Sequence, residues 1–195
     1  MLFRSTRRTY QLSWRPNETN RADGRNSRHS ILRRLPAEVA VDAIIQATVN
    51  DATLATTHTV VEKRKIGQHP KSTQTRSIDF SLLVFGKPLR STNCDCERQL
   101  APTLLQALYL RNDQEMLQRL DRKDGWLTQL EKAKPQPEQI DELITQAYLR
   151  TLSRPPNKTE LSDCRDHIKE SEDIIDGLRD LLWALLNTQE FITNH

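Results

Sequence analysis

Two thiols stand one residue apart in the stretch Asn93-Cys94-Asp95-Cys96-Glu97-Arg98, and this pattern could bind a metal. Structural zinc takes four ligands, usually thiolate or imidazole, most often from C-x-x-C-like spacings. Cys94 and Cys96 would supply two ligands, and Cys164 with His167, at i and i+3 of a predicted helix, would supply two more. Because C-x-C chelates less well than C-x-x-C, we predict no metal ligands in this chain. Zinc on this set of four remains an alternative.

A redox role and a purely structural role are the other interpretations of the neighbouring cysteines. A disulfide between residues two apart closes a very small, strained ring, and strained disulfides are the easily reduced, reactive kind. Arg98 or Arg90 would then stabilise the thiolate. In the structural interpretation the thiols stay reduced in a partly buried loop, where Asp95 and Glu97 pair with arginines. We favour the structural interpretation and keep the redox site as an alternative.

The sequence lacks signatures of catalysis and of covalent haem. Haem attachment of the c type requires C-x-x-C-H, whereas the stretch around Cys94 and Cys96 has a different spacing and no histidine. The chain has no G-x-S-x-G nucleophile motif and no glycine-rich phosphate loop. We therefore predict no catalytic residue and no cofactor for this chain.

Charge is distributed unevenly along the chain, although the formal net charge is only +3. Residues 1–34 carry nine arginines against Glu18 and Asp23, a local net charge of +7, so the remaining residues carry −4. An arginine-rich segment can bind phosphates, but no aromatic interleaving or recognised reader motif accompanies these arginines. We predict an irregular lead over residues 1–34 that is either solvated or one side of an interface with an acidic partner surface, with nucleic-acid binding as an alternative.

A strongly apolar helix is predicted directly after this lead. Pro36 suits a first helical turn, and Glu38 favours the positive end of the helix dipole. From position 36 to position 50 the polar residues form one narrow stripe, so most of the circumference requires burial. We expect an interaction surface on this helix and the arginines before it, comprising Val39, Ile44, Ile45, Arg33 and Arg34.

Apolar periodicity predicts further helices, most clearly in the C-terminal third. Residues 51–76 lack such a pattern, and a loop this long indicates function or disorder. The predicted fold is mainly α, a small array of antiparallel helices over residues 35–195 with a long irregular loop at 51–76. The inner faces are predicted from three stripes: Ile140, Leu143, Ile144, Ala147, Tyr148 and Leu152; Leu161, Cys164 and Ile168; and Leu178, Leu181, Leu182, Leu185 and Leu186.

Shorter apolar segments lie between the loop and these helices. The stretch SIDFSLLVFG, residues 77–86, is typical of a short buried helix or strand that ends at Gly86. Thr159 is expected to cap the helix that carries Cys164. A helix after Pro102 is predicted to pack one face inward, formed by Leu104, Leu105 and Leu108 and continued by Met116, Leu117 and Leu120.

Four blocks of the sequence, in this order, resemble a known family: LRRLPAEVAVDAI, VFGKPLRSTNCDCERQLAPTLLQALYLRND, YLRTLSRPPNKTELSDC and GLRDLLWALLNTQEFITNH. They are similar to the planctomycete-type domain of unknown function 1553, also called planctomycete-specific domain one. The resemblance implies a domain that closes long envelope proteins carrying a cytochrome-c-like module, with haem expected only in those upstream modules. The resemblance carries no catalytic or binding residue over to this chain.

The resemblance covers only the C-terminal portion of that domain, and its upstream helices have no counterpart here. We therefore expect a domain fragment with exposed apolar surface on the helix at 36–50 and marginal stability of the isolated chain. The expected function is that of a non-catalytic structural or interaction module in an extracytoplasmic location. Its partner would be the rest of the parent polypeptide or an envelope protein. A thiol-based redox or metal site and a nucleic-acid-binding segment remain the alternatives.

Overall fold

A computed structural model of the chain describes residues 17–22, 33–53, 82–86, 104–112 and 114–194. The described residues are mostly helical, which confirms the predicted fold class. In chain order their principal elements are β1 (Arg33–Arg34), α1 (Ala37–Thr48), α2 (Leu104–Asn112), α3 (Gln114–Leu120), α4 (Trp126–Ala133), a 3-10 turn (Pro137–Gln139), α5 (Ile140–Leu152), α6 (Lys158–Glu170), α7 (Ile174–Leu186) and β2 (Thr193–Asn194).

Helices α5, α6 and α7 pack on one another, and the apolar stripes predicted for them form their inner faces. All six predicted residues of α5 are buried, and so are the five leucines of α7. Burial of a leucine side chain contributes about 1.5–3 kcal/mol, so these stripes are the main source of stability for the packing. Gly177 allows α7 to approach α6 closely, because a Cβ at this position would lie 2.9 Å from Ile168 Cα.

Side-chain and backbone caps define the ends of these three helices. Helix α5 ends at Ser153, whose left-handed conformation (φ 57°) is a common helix terminator. The residue that caps α6 is Asn157, not Thr159 as predicted: Asn157 Oδ1 accepts hydrogen bonds from the amides of Thr159 and Glu160, at 2.9 Å each. The error arose because both residue types are good caps, and only the position of the first turn separates them.

Helix α1 begins directly after Pro36, as predicted, and packs against α3 and α5. One face of α1 is enclosed by its own chain, while Val39 on another face is 44% exposed. The small residues of the enclosed face let the neighbouring backbones come close. The buried residues are Ala37, Ala40, Val41, Ile44, Ala47 and Thr48.

The inner face predicted for α2 and α3 is wrong at two positions, since Leu105 and Leu117 are exposed. Tyr109 and Leu110 of α2 are buried instead, together with Met116 and Leu120 of α3. Helix α2 is apolar on more than one side, so its sequence pattern does not select a single face.

Residues 82–84 form a short helical turn, so the described part of the segment predicted at 77–86 is helical, whereas residues 77–81 lie outside the described residues. Leu82, Val84 and Phe85 are buried, and the Phe85 ring packs edge-on against Tyr109 with 5.9 Å between ring centroids. Gly86 follows with φ 88°, a backbone conformation that favours glycine and ends the turn.

The two short strands join the start of α1 to the residues after α7. β1 pairs antiparallel with β2, and the Leu35 amide donates to the Ile192 carbonyl at 2.9 Å. Phe191 is buried beside this pairing. No helix within the described ranges is both long enough and apolar enough to cross a membrane.

Candidate interaction surface between α1 and α5

A groove of about 430 Å³ lies between the outer sides of α1 and α5. We call it the α1–α5 groove. Its lining combines apolar and uncharged polar side chains with one ion pair, and it carries no excess of either charge. The lining residues are Ala43, Gln46, Asp51, Gln146, Leu149, Arg150, Thr151 and Ser153.

Helix α1 presents to the groove a face opposite to the one it buries. Val39, Ala43 and Gln46 are spaced by four and three residues, which places them on one side of a helix. Val39 is exposed and Ala43 is half-buried. An apolar strip therefore continues along α1 from the groove to the first turn of the helix.

Leu149 is the main apolar residue that α5 contributes, and its side chain is 50% exposed. It lies outside the core stripe of α5, to which its neighbours in sequence Ala147, Tyr148 and Leu152 belong. Gln146 and Arg150 flank it on the groove side. Leu149 and Ala43 thus form the apolar part of the groove, with amide groups at its rim.

Arg150 holds the residues after α1 against α5. Its guanidinium donates to the Val49 carbonyl at 3.1 Å, forms an ion pair with Asp51, and lies 5.0 Å from the centre of the Trp126 ring. The Arg150 side chain is largely buried whereas Asp51 is exposed, so water screens the ion pair more than the bond to the Val49 carbonyl. Arg150 therefore lines the groove as a structural residue, because its guanidinium is already bound within the chain.

The five predicted interaction residues have different environments. Val39 is exposed, as an interaction surface requires, and Ile45 is half-buried against the core. Arg33 is exposed, whereas the partly buried Arg34 donates to the Gln106 side chain.

Ile44 is the member of this set that does not lie at the surface of the chain. It is buried in the core of the chain, on the face of α1 that packs against other helices. The helical spacing places Ile44 with Ala40 and Ala47 and not with Val39. The run of small residues around it was the signal of close internal packing.

A second constellation, the Arg154 cluster, consists of Arg154, Glu160, Glu190 and Tyr148. Arg154 Nε and Nη2 donate to the two Glu190 oxygens at 2.6 and 2.9 Å, and Nη1 and Nη2 donate to Glu160 at 2.9 Å each. Nη1 also donates to the Pro155 carbonyl at 3.2 Å. The five N–H donors of the guanidinium are therefore all used.

The Arg154 cluster also alters proton affinities. Hydrogen bonding to Arg154 lowers the pKa of Glu160, and the hydrogen bonds to Glu190 and Glu160 raise the pKa of Arg154. The guanidinium carbon lies 5.5 Å from the centre of the Tyr148 ring. The cluster connects the end of α5, the first turn of α6 and the residues after α7. It therefore stabilises the packing of these three segments.

Two residues of the alternative metal set, Cys164 and His167, lie within the described part of the chain, and they contact different helices. Cys94 and Cys96 lie outside the described residues. Cys164 Sγ lies 3.8 Å from Tyr148 Oη on α5, whereas His167 Nε2 lies 3.5 Å from Asp180 Oδ2 on α7. Among the described residues, no group of three or more His, Cys, Asp or Glu side chains could hold a metal ion.

Cys164 is in an environment that disfavours thiolate chemistry. Burial is the main cause that raises the pKa of its thiol, and Asp163 and Glu160 contribute in the same direction. The pKa of Tyr148 is also raised, chiefly by burial and then by its hydrogen bond to Cys164. The thiol is therefore protonated at neutral pH and acts as a small packing group, as its place in the stripe with Leu161 and Ile168 indicates.

Sequence reasoning missed Leu149 of the groove and Arg154 of the cluster. Leu149 was detectable, because it is an apolar residue outside the stripe that defines the buried face of α5. Arg154 carried no comparable signal, since its partner Glu190 is 36 residues away in the chain.

The sequence profile of the family PSD1, described as protein of unknown function (DUF1553), matches residues 5–168 of the chain. The match spans well over half of the chain, and the protein therefore belongs to this family. It ends within α6, so α7 lies beyond the matched residues although it supplies much of the inner face described above. No curated protein and no solved structure gives a match to the chain.

Proposed function

We propose that this chain is a non-catalytic structural and interaction module of a larger, cytochrome-linked envelope protein. In this proposal the α1–α5 groove is the surface that contacts the rest of the polypeptide, and the location is extracytoplasmic. The resemblance to domains that close such proteins supports the larger context. The conclusion about the module itself depends on the described side chains.

Arg154 and Arg150 form their hydrogen bonds and ion pairs with other residues of this chain, and this supports a structural role. Every donor of Arg154 is used within the chain, and Arg150 is held by a carbonyl, a carboxylate and an aromatic ring. The thiol of Cys164 is held in its protonated form by burial. These groups stabilise the packing of the helices, whereas catalysis requires groups that can reach a substrate.

The apolar strip on α1 is the observation that carries the interaction role. Val39 remains exposed on a helix whose opposite face is fully enclosed, and it continues into the groove at Ala43 and Leu149. An apolar patch with a polar rim is typical of a protein–protein contact. The amide groups of Gln46 and Gln146 supply such a rim.

Binding to a separately produced upstream segment of the parent polypeptide tests this proposal. We expect Leu149→Asp to weaken binding at least about tenfold, because a charge would be buried in the contact. Isothermal titration calorimetry measures the change, and circular dichroism confirms that the variant is folded.

Leu105→Asp is the matched control, since Leu105 is 52% exposed but lies on α2, outside the groove. We expect this variant to bind like the unmodified chain. An equal loss of binding in both variants, or no binding by the unmodified chain, would contradict the proposal.

A further inference from the structure

The two charged residues that line the α1–α5 groove differ in their exposure to solvent. Asp51 and Arg150 form an ion pair, but the Asp51 side chain is 79% exposed and the Arg150 side chain only 13%. The guanidinium donates to one carboxylate oxygen, Asp51 Oδ1, and also to the Val49 carbonyl. The ion pair therefore presents a carboxylate, and not a guanidinium, to a molecule that enters the groove.

No second base on α1 or α5 balances this exposed carboxylate. Helix α1 contains no lysine, arginine or histidine, and Arg150 is the only such residue of α5. Arg154, four residues further along the chain, uses its donors on Glu160, Glu190 and the Pro155 carbonyl. An anionic partner would therefore find no unbound cation on the two helices that border the groove.

A second exposed carboxylate stands on the α5 side of the groove. Glu142, Gln146 and Arg150 are spaced by four residues, so they lie on one side of α5. Glu142 is exposed, and its Oε1 accepts a long hydrogen bond from Gln146 Nε2 at 3.5 Å. The side of α5 that borders the groove thus carries Glu142 about 12 Å along the helix axis from Arg150 and its partner Asp51.

We propose that the segment that binds in the α1–α5 groove presents a basic side chain, arginine or lysine, next to an apolar one. This inference rests on the proposed function and names the chemistry of its partner. A basic side chain packs its methylene stem on apolar surface and keeps its charged head in water. Leu149 and Ala43 offer the apolar surface, and Asp51 offers the exposed negative charge. Charge complementarity of this kind selects one partner over others.

Titration of the full chain with two dipeptides, followed by NMR of the Leu149 methyl groups, tests this inference. The probes are N-acetyl-leucyl-arginine amide and N-acetyl-leucyl-citrulline amide, in which citrulline has the shape of arginine but no charge. We expect the arginine probe to bind at least about threefold more tightly, which is the size of effect of an exposed ion pair. High salt should remove this difference without weakening the citrulline probe, because salt screens exposed charges.

Two aspartate variants locate the charge that selects the arginine probe. Asp51→Asn should abolish the preference, and Arg150 stays bound to the Val49 carbonyl in this variant. Asp121→Asn is the matched control, since Asp121 is an exposed aspartate paired with Arg179 outside the groove, and it should leave the preference unchanged. Circular dichroism checks that both variants are folded, and the salt dependence of the unmodified chain needs no variant.

The inference is overturned by equal affinity for the two dipeptides, by the absence of a shift at Leu149 with either probe, or by equal effects of the two variants. A dimer in analytical ultracentrifugation that Leu149→Asp disrupts would assign the groove to a second copy of the chain and would overturn it as well. Binding of the upstream segment is measured separately. If that segment binds while the dipeptides do not differ, the groove remains the interaction surface and only the basic chemistry of the partner is wrong.

Discussion

Helices α1 and α5 border the same groove, but α1 and the packed unit of α5, α6 and α7 are held in place by contacts of different range. α5, α6 and α7 follow one another in the chain with short connections, and each buries an apolar stripe on its neighbours. α1 precedes α5 by about ninety residues and is fixed by distant partners, including Val49 to Arg150 and Leu35 to Ile192. Closing a long loop has a larger entropy cost than closing a short one.

This difference indicates where stability and adaptability lie in the molecule. Local helix packing makes α5–α7 the part that resists unfolding, because its contacts form with little loss of chain entropy. α1 depends on backbone bonds at both of its ends and leaves Val39 exposed. A surface that changes on binding is therefore expected on the α1 side of the groove.

The largest expected effect comes from the core of α7. Leu182 is 0% exposed, and Leu182→Ala should lower the free energy of unfolding by about 2–5 kcal/mol, because it leaves a cavity among packed helices. Leu149→Ala is the control on the groove face and should change stability by about 0.5 kcal/mol or less. Urea denaturation measures both values. Equal losses would show that the groove face is packed like the core.

The second largest loss of stability is expected where α6 and α7 approach each other closely. Gly177→Ala places a Cβ 2.9 Å from Ile168 Cα, and the shift needed to relieve this overlap should cost about 1–3 kcal/mol. Gly125→Ala is the counterpart on the α1 side, where the added Cβ would meet the Arg122 carbonyl oxygen at 2.8 Å.

Thermal denaturation and hydrogen exchange separate these two glycine variants. We expect Gly177→Ala to lower the melting temperature of the whole helical unit. Gly125→Ala should instead accelerate exchange mainly in residues 37–53, because Gly125 bridges to Val49 at the end of α1. Faster exchange in α1 alone for Gly177→Ala would contradict the assignment of the two regions.

The smallest expected effect is the pH dependence contributed by the Arg154 cluster. Hydrogen bonding to Arg154 lowers the pKa of Glu160 in the folded chain. A lowered folded-state pKa stabilises the fold above the unfolded value of about 4.3, and this contribution is lost as the pH falls through the folded-state pKa. Urea midpoints between pH 6 and pH 3 should therefore decrease with falling pH.

Arg154→Leu isolates the contribution of the cluster from that of other carboxylates. With no guanidinium beside it, Glu160 loses the main cause of its lowered pKa, so the urea midpoint of the variant should depend less on pH below about 4.3. An unchanged dependence on pH would mean that Arg154 does not set the pKa of Glu160.

Helix α1 shows which apolar surface of the predicted domain fragment is covered and which is exposed. The sequence pattern predicts a helix that is too apolar for its own chain to cover. The structure covers the face that contains Val41 and Ile44 and leaves Val39 exposed. The chain therefore covers the first face, and exposed apolar surface remains on the second.

The sequence predicts a structural feature well where that feature depends on interactions between residues that are close in the chain. The stripe from Ile140 to Leu152 identified the buried face of α5 without error, because one dominant periodicity leaves one face to bury. The pattern of α2 was ambiguous, and Leu105 was assigned to the wrong side. The cap of α6 was misplaced by two residues, since Asn157 and Thr159 are both competent caps.

Sequence by itself determined the helical class of this protein, the inner faces of α5 and α7, and the start of α1, because periodicity and proline act over a few residues. The tertiary structure decided that Ile44 is core while Val39 is surface, that Arg150 supports the groove, and that Arg154 holds Glu190. Those outcomes depend on which distant segments meet. Spacing along the chain does not encode that choice, whereas the three-dimensional packing of the helices does.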